Sequence, residues 1–414
     1  MPIQGSREAL AAGQPVSRRA FVSVAGAAAA VAAGGLLFGC APRQDAPGDD
    51  AAEDSGNAVV DPLTQRIETL LGSMSDREKL CQLFCVTPES LTGMGQVIQA
   101  GDATRNALAS LPVGGLVYFA DNIGGPEQVV EMLGATRGFA LDACGIPPLL
   151  CVDEEGGQVA RVANRAGMGV DNVGDMADIG AGADPAEARS AAEYVGGYLS
   201  DLGFNTDFAP VCDVANNPES DTMRRRSFGA DPQLVAQMVA AQVEGFEAAG
   251  VLCSAKHFPG IGAAVGDSHD SRIVFEGTLA DLEAVELVPF RAAIDAGVPL
   301  VMVGHLSVPQ VAGSDAPACL SSAIVTDLLR GSLGFEGVVV TDSLAMGAVG
   351  EYYSAAEAAV LALEAGCDLL LMPADLDAAL DALRAAVDEG RLSWGRIDDS
   401  LRRILRAKLE YLDF

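Results

Sequence analysis

The chain is poor in basic and aromatic residues. Its 414 residues include 26 lysines and arginines against 57 aspartates and glutamates, and aromatic side chains make up only 5%. The net charge of −31 leaves no basic surface for phosphates, which excludes nucleic acid as a partner and argues against electrostatic binding to anionic lipid. The acidity indicates a solvated surface, and a hydrophobic content of 50% is enough for an aliphatic core.

Several cofactor and metal motifs are also missing. The sequence contains no G-x-G-x-x-G, no P-loop, no H-E-x-x-H and no C-x-x-C. Nucleotide sites, zinc sites and thioredoxin chemistry therefore have no support, and we predict no cofactor and no metal. Apart from Cys40, the cysteines are scattered through apolar segments, where we expect most of them to be buried as small hydrophobic side chains.

The N-terminal segment has the pattern of an export signal. Arg18 and Arg19 precede a small-residue apolar run, as in a twin-arginine signal, and the run ends at Cys40 in a sequence that resembles a lipoprotein cleavage box. We expect Cys40 to be lipidated, which would place the protein at the cell membrane, outside the cytoplasm. A membrane-spanning anchor is the alternative. Residues 41–60 are expected to be a flexible acidic linker, and residues 61–414 a single folded domain.

Short apolar segments alternate with helical ones after Asp61. The eight candidate strands are Leu80–Val86, Gly115–Phe119, Pro148–Val152, Asn205–Val211, Leu252–His257, Leu300–Gly304, Gly337–Thr341 and Asp368–Met372. The candidate helices between them include Pro126–Cys144, Pro185–Leu202, Pro232–Ala249, Leu279–Ala296, Ser354–Ala365 and Leu376–Asp388. Eight apolar strands separated by helices predict an α/β fold, a (β/α)8 TIM-like barrel, with a doubly wound sheet as the alternative.

Ionisable residues follow several of these strands. Asp153 follows the third, Asp213 the fourth, Lys256 and His257 end the fifth, and Asp342 follows the seventh. Function in such a barrel lies at the C-terminal ends of the strands, so this charge predicts a site there. A single aspartate after a strand is more often a helix N-cap, which is the alternative for Asp342.

The three histidines of the chain lie in or near these strand ends. His305 follows the sixth strand, and a hydrogen-bonded structural role is the alternative for both His305 and His257, with more weight for His305. His269 lies in a glycine-rich loop just beyond His257, two residues after Asp267, which is close enough for the carboxylate to orient the imidazole. A solvated histidine in a surface loop is the alternative for His269.

The motifs around these residues resemble those of family 3 glycoside hydrolases of the β-N-acetylhexosaminidase type. The segment from Lys256 to His269 is similar to the family's KHFPG…DSH signature. The D-x-E-G-G-x-x-x-R element of Asp153–Arg161, the R-S-F-G element at Arg226 and the VVVTDSLAM segment that contains Asp342 are similar to further family motifs and occur in the same order.

This resemblance implies a role for each matching residue. Asp342 would be the nucleophile, and His269, supported by Asp267, the acid/base. The residues implied to bind the terminal sugar are Asp153, Arg161, Arg226, Lys256 and His257. The chain would then be a retaining, exo-acting enzyme that removes terminal N-acetylglucosamine-type residues from β-linked glycans, such as cell-wall fragments or chitin-like sugars.

Some features depart from the family pattern. Ile261 stands where a second histidine is common, Glu154 where glutamine is common, and Ser343 where a second acid is frequent. The sequence ends soon after the predicted barrel, so we expect no second domain of the kind that supplies a carboxylate acid in the larger β-glucosidases of the family, and this expectation fits a histidine acid/base. The alternatives are a β-glucosidase or glycoside phosphorylase of the same family, a lipoprotein that binds glycans without cleaving them, and a structural envelope lipoprotein.

Overall fold

The structure is a computed structural model. It describes residues 61–218, 220, 223–264, 272–412 and 414. Val59–Phe414 form one compact unit. The predicted signal and linker, Cys40, Asp267 and His269 lie outside the described residues.

Eight parallel strands form the central sheet. The strands of the described chain are β1 Phe84–Val86, β2 Gly115–Val117, β3 Leu149–Val152, β4 Glu154–Gly156, β5 Val159–Ala160, β6 Thr206–Asp207, β7 Leu252–Phe258, β8 Leu300–Val303, β9 Val338–Thr341 and β10 Leu370–Leu371. The order in the large sheet is β10-β1-β2-β3-β6-β7-β8-β9, while β4 and β5 form a small antiparallel hairpin.

The two edge strands of this sheet meet and nearly close a barrel. A parallel bridge joins Val340 in β9 to Leu369, the residue before β10. Every other neighbouring pair of the eight is also parallel, as crossover connections through helices require. The predicted (β/α)8 barrel is therefore confirmed.

Helices surround the barrel. The α-helices of the described residues are α1 Pro62–Ser73, α2 Asp76–Cys81, α3 Pro88–Thr92, α4 Asp102–Ser110, α5 Pro126–Cys144, α6 Met176–Gly182, α7 Pro185–Leu202, α8 Pro232–Ala249, α9 Leu279–Ala284, α10 Leu287–Asp295, α11 Pro309–Ala312, α12 Gly347–Gly350, α13 Ala355–Ala365, α14 Leu376–Asp388 and α15 Trp394–Tyr411. Two 3₁₀ turns, Ala120–Asn122 and Ala318–Leu320, and a π-helix, Ala323–Ser332, complete the elements.

Local signals in the sequence set the ends of the longest helices. α7 and α8 each begin at a proline preceded by an aspartate, and the Asp184 and Asp231 carboxylates accept hydrogen bonds from backbone N–H groups of the first turn. Each helix ends before a glycine in the left-handed conformation, Gly203 or Gly250. The predicted bounds of α5, α7, α8 and α14 are confirmed.

Three predicted elements were wrong in part. The first half of Leu80–Val86 belongs to α2 and a turn, and only its last three residues form β1. Asn205–Val211 shortens to β6, because Pro210 has no N–H to donate to the sheet. Leu279–Ala296 is two helices, since Pro289 cannot donate to the carbonyl four residues earlier.

Helix α15 packs at the end of the barrel where the strands begin. Asp368, just before β10, is fully buried and is bound by Arg330 of the π-helix at 2.5 Å and by Arg403 of α15 at 3.2 Å. The buried ammonium of Lys408 in α15 donates to Gln82, beyond the end of α2, at 3.0 Å. These contacts attach α15 to the residues that precede β10 and β1.

The buried core includes most of the cysteines. Among the eight in the described chain, all are free thiols and only Cys144 is partly exposed, which agrees with the prediction for these residues. No helix within the described ranges is long and apolar enough to cross a bilayer.

Candidate active site

A cavity of about 280 Å³ opens at the C-terminal ends of the barrel strands. Its polar walls contain six of the residues predicted from the sequence: Asp153, Arg161, Arg226, Lys256, His257 and Asp342. Apolar side chains complete the lining, among them Phe119, Phe208, Met302 and Met372. The fold therefore brings together residues that are up to 189 positions apart, from Asp153 to Asp342.

Four charged side chains form a linked cluster on one wall. The ammonium of Lys256 lies 2.7 Å from both Asp153 and Glu155. Arg226 donates two hydrogen bonds of 2.7 Å to the two oxygens of Glu155. The two positive charges of the cluster are cancelled by the two negative charges of its carboxylates, as the burial of charged groups requires.

Glu155 is at the centre of this cluster and was not assigned a role from the sequence. Its side chain is 2% exposed. Burial raises the pKa of this carboxyl, but the charges of Arg226 and Lys256 outweigh that effect and hold the pKa well below its usual range. The sequence did contain a signal for Glu155, because two buried cations, Lys256 in β7 and Arg226 in the connection after β6, require two counter-charges.

His257 is oriented by Asp213, the carboxylate that follows β6. The ring Nδ1 lies 2.7 Å from Asp213 Oδ2, and the ring Nε2 lies 3.4 Å from the guanidinium of Arg226. Arginine can only donate, so Nε2 accepts and Nδ1 carries the hydrogen that is donated to Asp213. Asp213 also accepts from the backbone N–H of Ile261 at 2.7 Å.

Asp342 lies on the cavity wall directly after β9. No helix begins beside it, because α12 starts only at Gly347, so the N-cap interpretation is wrong. One carboxylate oxygen accepts from the N–H of Ser343 at 2.7 Å. Burial raises the pKa of Asp342, but electrostatic interactions with His305 and His257, together with the hydrogen bond from the Ser343 N–H, hold that pKa below its ordinary value.

His305 has a structural environment. Its Nε2 lies 2.8 Å from the carbonyl of Ser343 and its Nδ1 lies 3.2 Å from the thiol of Cys319. The ring is 1% exposed and is not part of the cavity wall. Because it holds the Ser343 carbonyl, it supports the backbone beside Asp342.

Glu154, one of the departures from the family pattern, points away from the cavity. Its carboxylate accepts from the hydroxyl of Tyr198 at 2.7 Å and from the backbone N–H groups of Val162 and Ala163 at 2.8 Å. Burial raises the pKa of this carboxyl. Glu154 thereby fixes the loop that carries Arg161 rather than contacting a ligand.

Arg161 keeps a donor available to a ligand. Its Nε is buried and has no hydrogen-bond partner among the described residues. The guanidinium lies 5.7 Å from the centre of the Phe119 ring, within range of a cation–π contact. A buried unpaired donor in a cavity wall marks a point where a polar ligand atom would be stabilising.

The described part of the chain offers no cluster of three or more histidine, cysteine, aspartate or glutamate side chains arranged to hold a metal ion.

Comparison with known proteins gives a consistent result. Residues 76–407 match the model of the glycosyl hydrolase family 3 N-terminal domain. The chain is 33% identical over 345 residues to Beta-hexosaminidase A of Pseudoalteromonas piscicida, covering 75% of this chain and 57% of that protein. It is 34% identical over 343 residues to Beta-hexosaminidase LpqI of Mycobacterium tuberculosis, covering 81% of this chain and 83% of the relative.

A solved structure extends the likeness to three dimensions. The family 3 β-N-acetylglucosaminidase from Paenibacillus sp. str. FPU-7 superimposes with a TM-score of 0.77 at 39% identity, covering 82% of this chain and 63% of that one. The chain therefore spans less than two thirds of the Pseudoalteromonas and Paenibacillus proteins, but most of LpqI.

Proposed function

The chain belongs to glycoside hydrolase family 3, and from this premise we propose that it is a β-N-acetylhexosaminidase that removes terminal N-acetylglucosamine-type residues from β-linked glycans. The observation that carries the proposal is the cavity. Its volume of about 280 Å³ suits one sugar ring, and a dense set of charged hydrogen-bonding groups lines it. A pocket of that size supports exo-action on a chain end.

Asp342 is the proposed nucleophile. A low pKa keeps its carboxylate ionised at neutral pH, and the Ser343 N–H binds only one of its oxygens, so the other can attack the anomeric carbon. In a retaining reaction, the new bond joins this oxygen to the sugar while the leaving oxygen departs with a proton. Water then cleaves the glycosyl ester and restores the carboxylate.

His269 is proposed to supply that proton and later to take one from water, with Asp267 orienting its ring. This part rests on the sequence motif, because both residues lie outside the described ones. Asp153, Arg161, Arg226, Lys256 and His257 are proposed to bind the hydroxyls and the acetamido group of the sugar. The Lys256–Asp153–Glu155–Arg226 cluster supports this role, since its side chains are held in place before a ligand arrives.

The first test is hydrolysis of 4-nitrophenyl β-N-acetylglucosaminide beside the matching β-glucoside, with and without phosphate. Selective cleavage of the acetamido sugar without phosphate dependence is expected. Preference for the glucoside, or turnover only with phosphate, would support the glucosidase or phosphorylase alternatives. A folded wild-type protein that binds a β-linked N-acetylglucosamine glycan but cleaves neither substrate would support the non-catalytic alternative.

A second test addresses the nucleophile. Asp342→Asn should lower kcat by at least about 10³-fold without unfolding the protein. Asp315→Asn, at a side chain that is 73% exposed, serves as the matched control. Turnover by Asp342→Asn within tenfold of the wild type would refute the assignment.

Cellular location is a separate proposal. The twin Arg18-Arg19 pair and Cys40 support export and lipidation, with residues 41–60 as the tether to the domain at 61–414. The natural substrate would then lie outside the cytoplasm, among cell-wall fragments or chitin-like sugars. Cys40→Ser should move the protein from the membrane fraction to the soluble fraction of its host, and membrane retention of this variant would contradict lipidation.

A further inference from the structure

A buried carboxyl lies behind the cavity wall, outside the groups assigned above. Glu286, immediately before α10, is 1% exposed. Its Oε1 accepts a hydrogen bond from the amide of Asn216 at 3.2 Å. Its Oε2 is buried and makes no hydrogen bond of standard geometry to the described residues, although the backbone N–H groups of Val214 and Ala263 lie near the carboxyl. An unpaired buried polar atom is destabilising, so the burial of this carboxyl calls for an explanation.

Glu286 packs against the segment Gly260–Ala264, which follows β7. Gly260 has φ +118°, and a Cβ on it would lie 2.6 Å from Glu286 Oε2. On the other side, a Cβ on Gly262 would lie 1.8 Å from the carbonyl oxygen of Val214. The segment therefore fits between Glu286 and the loop after β6 with no space to spare.

The same segment is bound to the site through Asp213. One oxygen of Asp213 accepts from the N–H of Ile261, and the other lies 2.7 Å from Nδ1 of His257 in the cavity wall. Both oxygens of Asp213 therefore have hydrogen-bond partners. Burial, and after it the charge of Asp213, raise the pKa of Glu286 to about 8, against the lowering effect of the Asn216 amide and of the backbone N–H groups of Val214 and Ala263.

We propose that Glu286 is a positioning residue: as a neutral acid it supports Gly260–Ala264 and the Asp213–His257 pair, and loss of its proton at alkaline pH loosens both. The charged groups around Glu286 explain why its neutral form is favoured. Asp213 on the β6 loop faces it as a like charge, and the cations beyond, Lys256 and Arg226, are already paired with Asp153 and Glu155. A charge on Glu286 would therefore repel Asp213.

The inference also extends the proposed function, and in this respect rests on it. Residues 265–271 follow Ala264 directly in the sequence and include Asp267 and His269. Loosening of Gly260–Ala264 at alkaline pH would then lower activity, because the proposed acid/base follows this segment closely in the sequence.

The experiment uses ¹⁵N NMR of the imidazoles, which is practical because the chain has three histidines. In the wild type, the His257 signals should show a titration step near pH 8, and Glu286→Gln, which keeps the shape of the neutral acid, should remove it. Glu283→Gln, an exposed glutamate of the same region with a side chain 48% accessible, is the control and should keep the step. Absence of the step in the wild type, or its survival in Glu286→Gln, would overturn the proposal.

Activity gives a second readout. At pH 7 Glu286→Gln should retain kcat/KM within about threefold, whereas Glu286→Ala should lose at least about tenfold with a folded circular dichroism spectrum. Wild-type activity in Glu286→Ala, or unfolding of the Gln variant, would refute a neutral supporting acid. If no variant and no wild type cleaves glycosides, the proposed function fails, but the NMR step still decides the role of Glu286.

Discussion

Removing the charge of Glu155 tests whether the cavity wall depends on balanced burial. Glu155 is the shared partner of Arg226 and Lys256, whose side chains are 11% and 3% accessible. Glu155→Gln keeps the shape but leaves one positive charge without a counter-charge in a buried cluster. Breaking a buried ion pair from one side typically costs about 3–5 kcal/mol.

The expected change in thermal stability follows from the size of the domain. An unfolding entropy of about 2.1 cal/mol/K per residue gives about 0.75 kcal/mol/K for roughly 350 residues, so a loss of about 4 kcal/mol lowers Tm by about 5 °C. The free energy of unfolding should be measured in urea, with Tm as a check. Because Arg226 and Lys256 also lose their shared anchor, kcat/KM should fall by at least about tenfold.

A matched control separates burial from charge. Glu193 forms an ion pair with Arg189 on the surface of α7, with both side chains about half exposed. Glu193→Gln should cost about 0.2–1 kcal/mol or less, since solvent screens such pairs.

The pH dependence of stability provides a further test of the contribution of Glu155. Since the pKa of Glu155 is lowered in the folded protein, its stabilisation is complete above the ordinary value of 4.5 and is lost as pH falls toward the folded value. The gap between the wild type and Glu155→Gln should therefore be constant from pH 8 to about 5 and narrow below that. A cost at pH 7 no larger than that of Glu193→Gln would refute the charge-balance argument.

Three further variants test separate parts of the fold. Burial lowers the pKa of Lys408 to about 8, so its charge destabilises the folded protein at pH 7 and Lys408→Met should raise Tm there. This gain in Tm should fade between pH 8 and 10.5, where the lysine of the unfolded chain also loses its proton. A gain in Tm that does not depend on pH would contradict this explanation. Gly260→Ala should lower both kcat/KM and the stability measured by denaturant unfolding, because a φ of +118° and the contact with Glu286 leave no room for a methyl group. Gly134→Ala, in open space within α5, is the control and should be neutral or stabilising in the same measurement. Asp368→Asn should destabilise by about 3–5 kcal/mol in urea, and a cost below about 1 kcal/mol would show that its arginines find other partners.

The barrel could be predicted because its elements carry local signals. Proline at the start and glycine after the end define α7 and α8, and the apolar runs β3, β8 and β9 are buried along their whole length. Elements that depend on tertiary contacts were harder to predict. The π-helix Ala323–Ser332 carries no signal of its own, and the break between α9 and α10 depends on a single proline.

The site was predictable to a similar extent. Charged residues at strand ends identified the cavity wall, because parallel strands bring their C-terminal ends together. Asp153 was predicted, but the sequence did not show that Glu155 also faces the cavity while Glu154 turns away, since the backbone enters the β4–β5 hairpin there. Glu286 was also missed, because an acid at the start of a helix is usually a surface residue.

The attachment of α15 to the beginning of the strands has a practical consequence. The last described residue, Phe414, lies beside Arg66 of α1, and Arg402 of α15 pairs with Glu68 of the same helix, so both ends of the described chain lie together. Because α15 packs at the end of the barrel opposite the cavity, a bead, electrode or reporter protein joined at Phe414 would lie on the side of the domain away from the cavity. Immobilisation through this end should preserve access for bulky polymeric ligands, whereas coupling through random surface groups would block a fraction of the molecules.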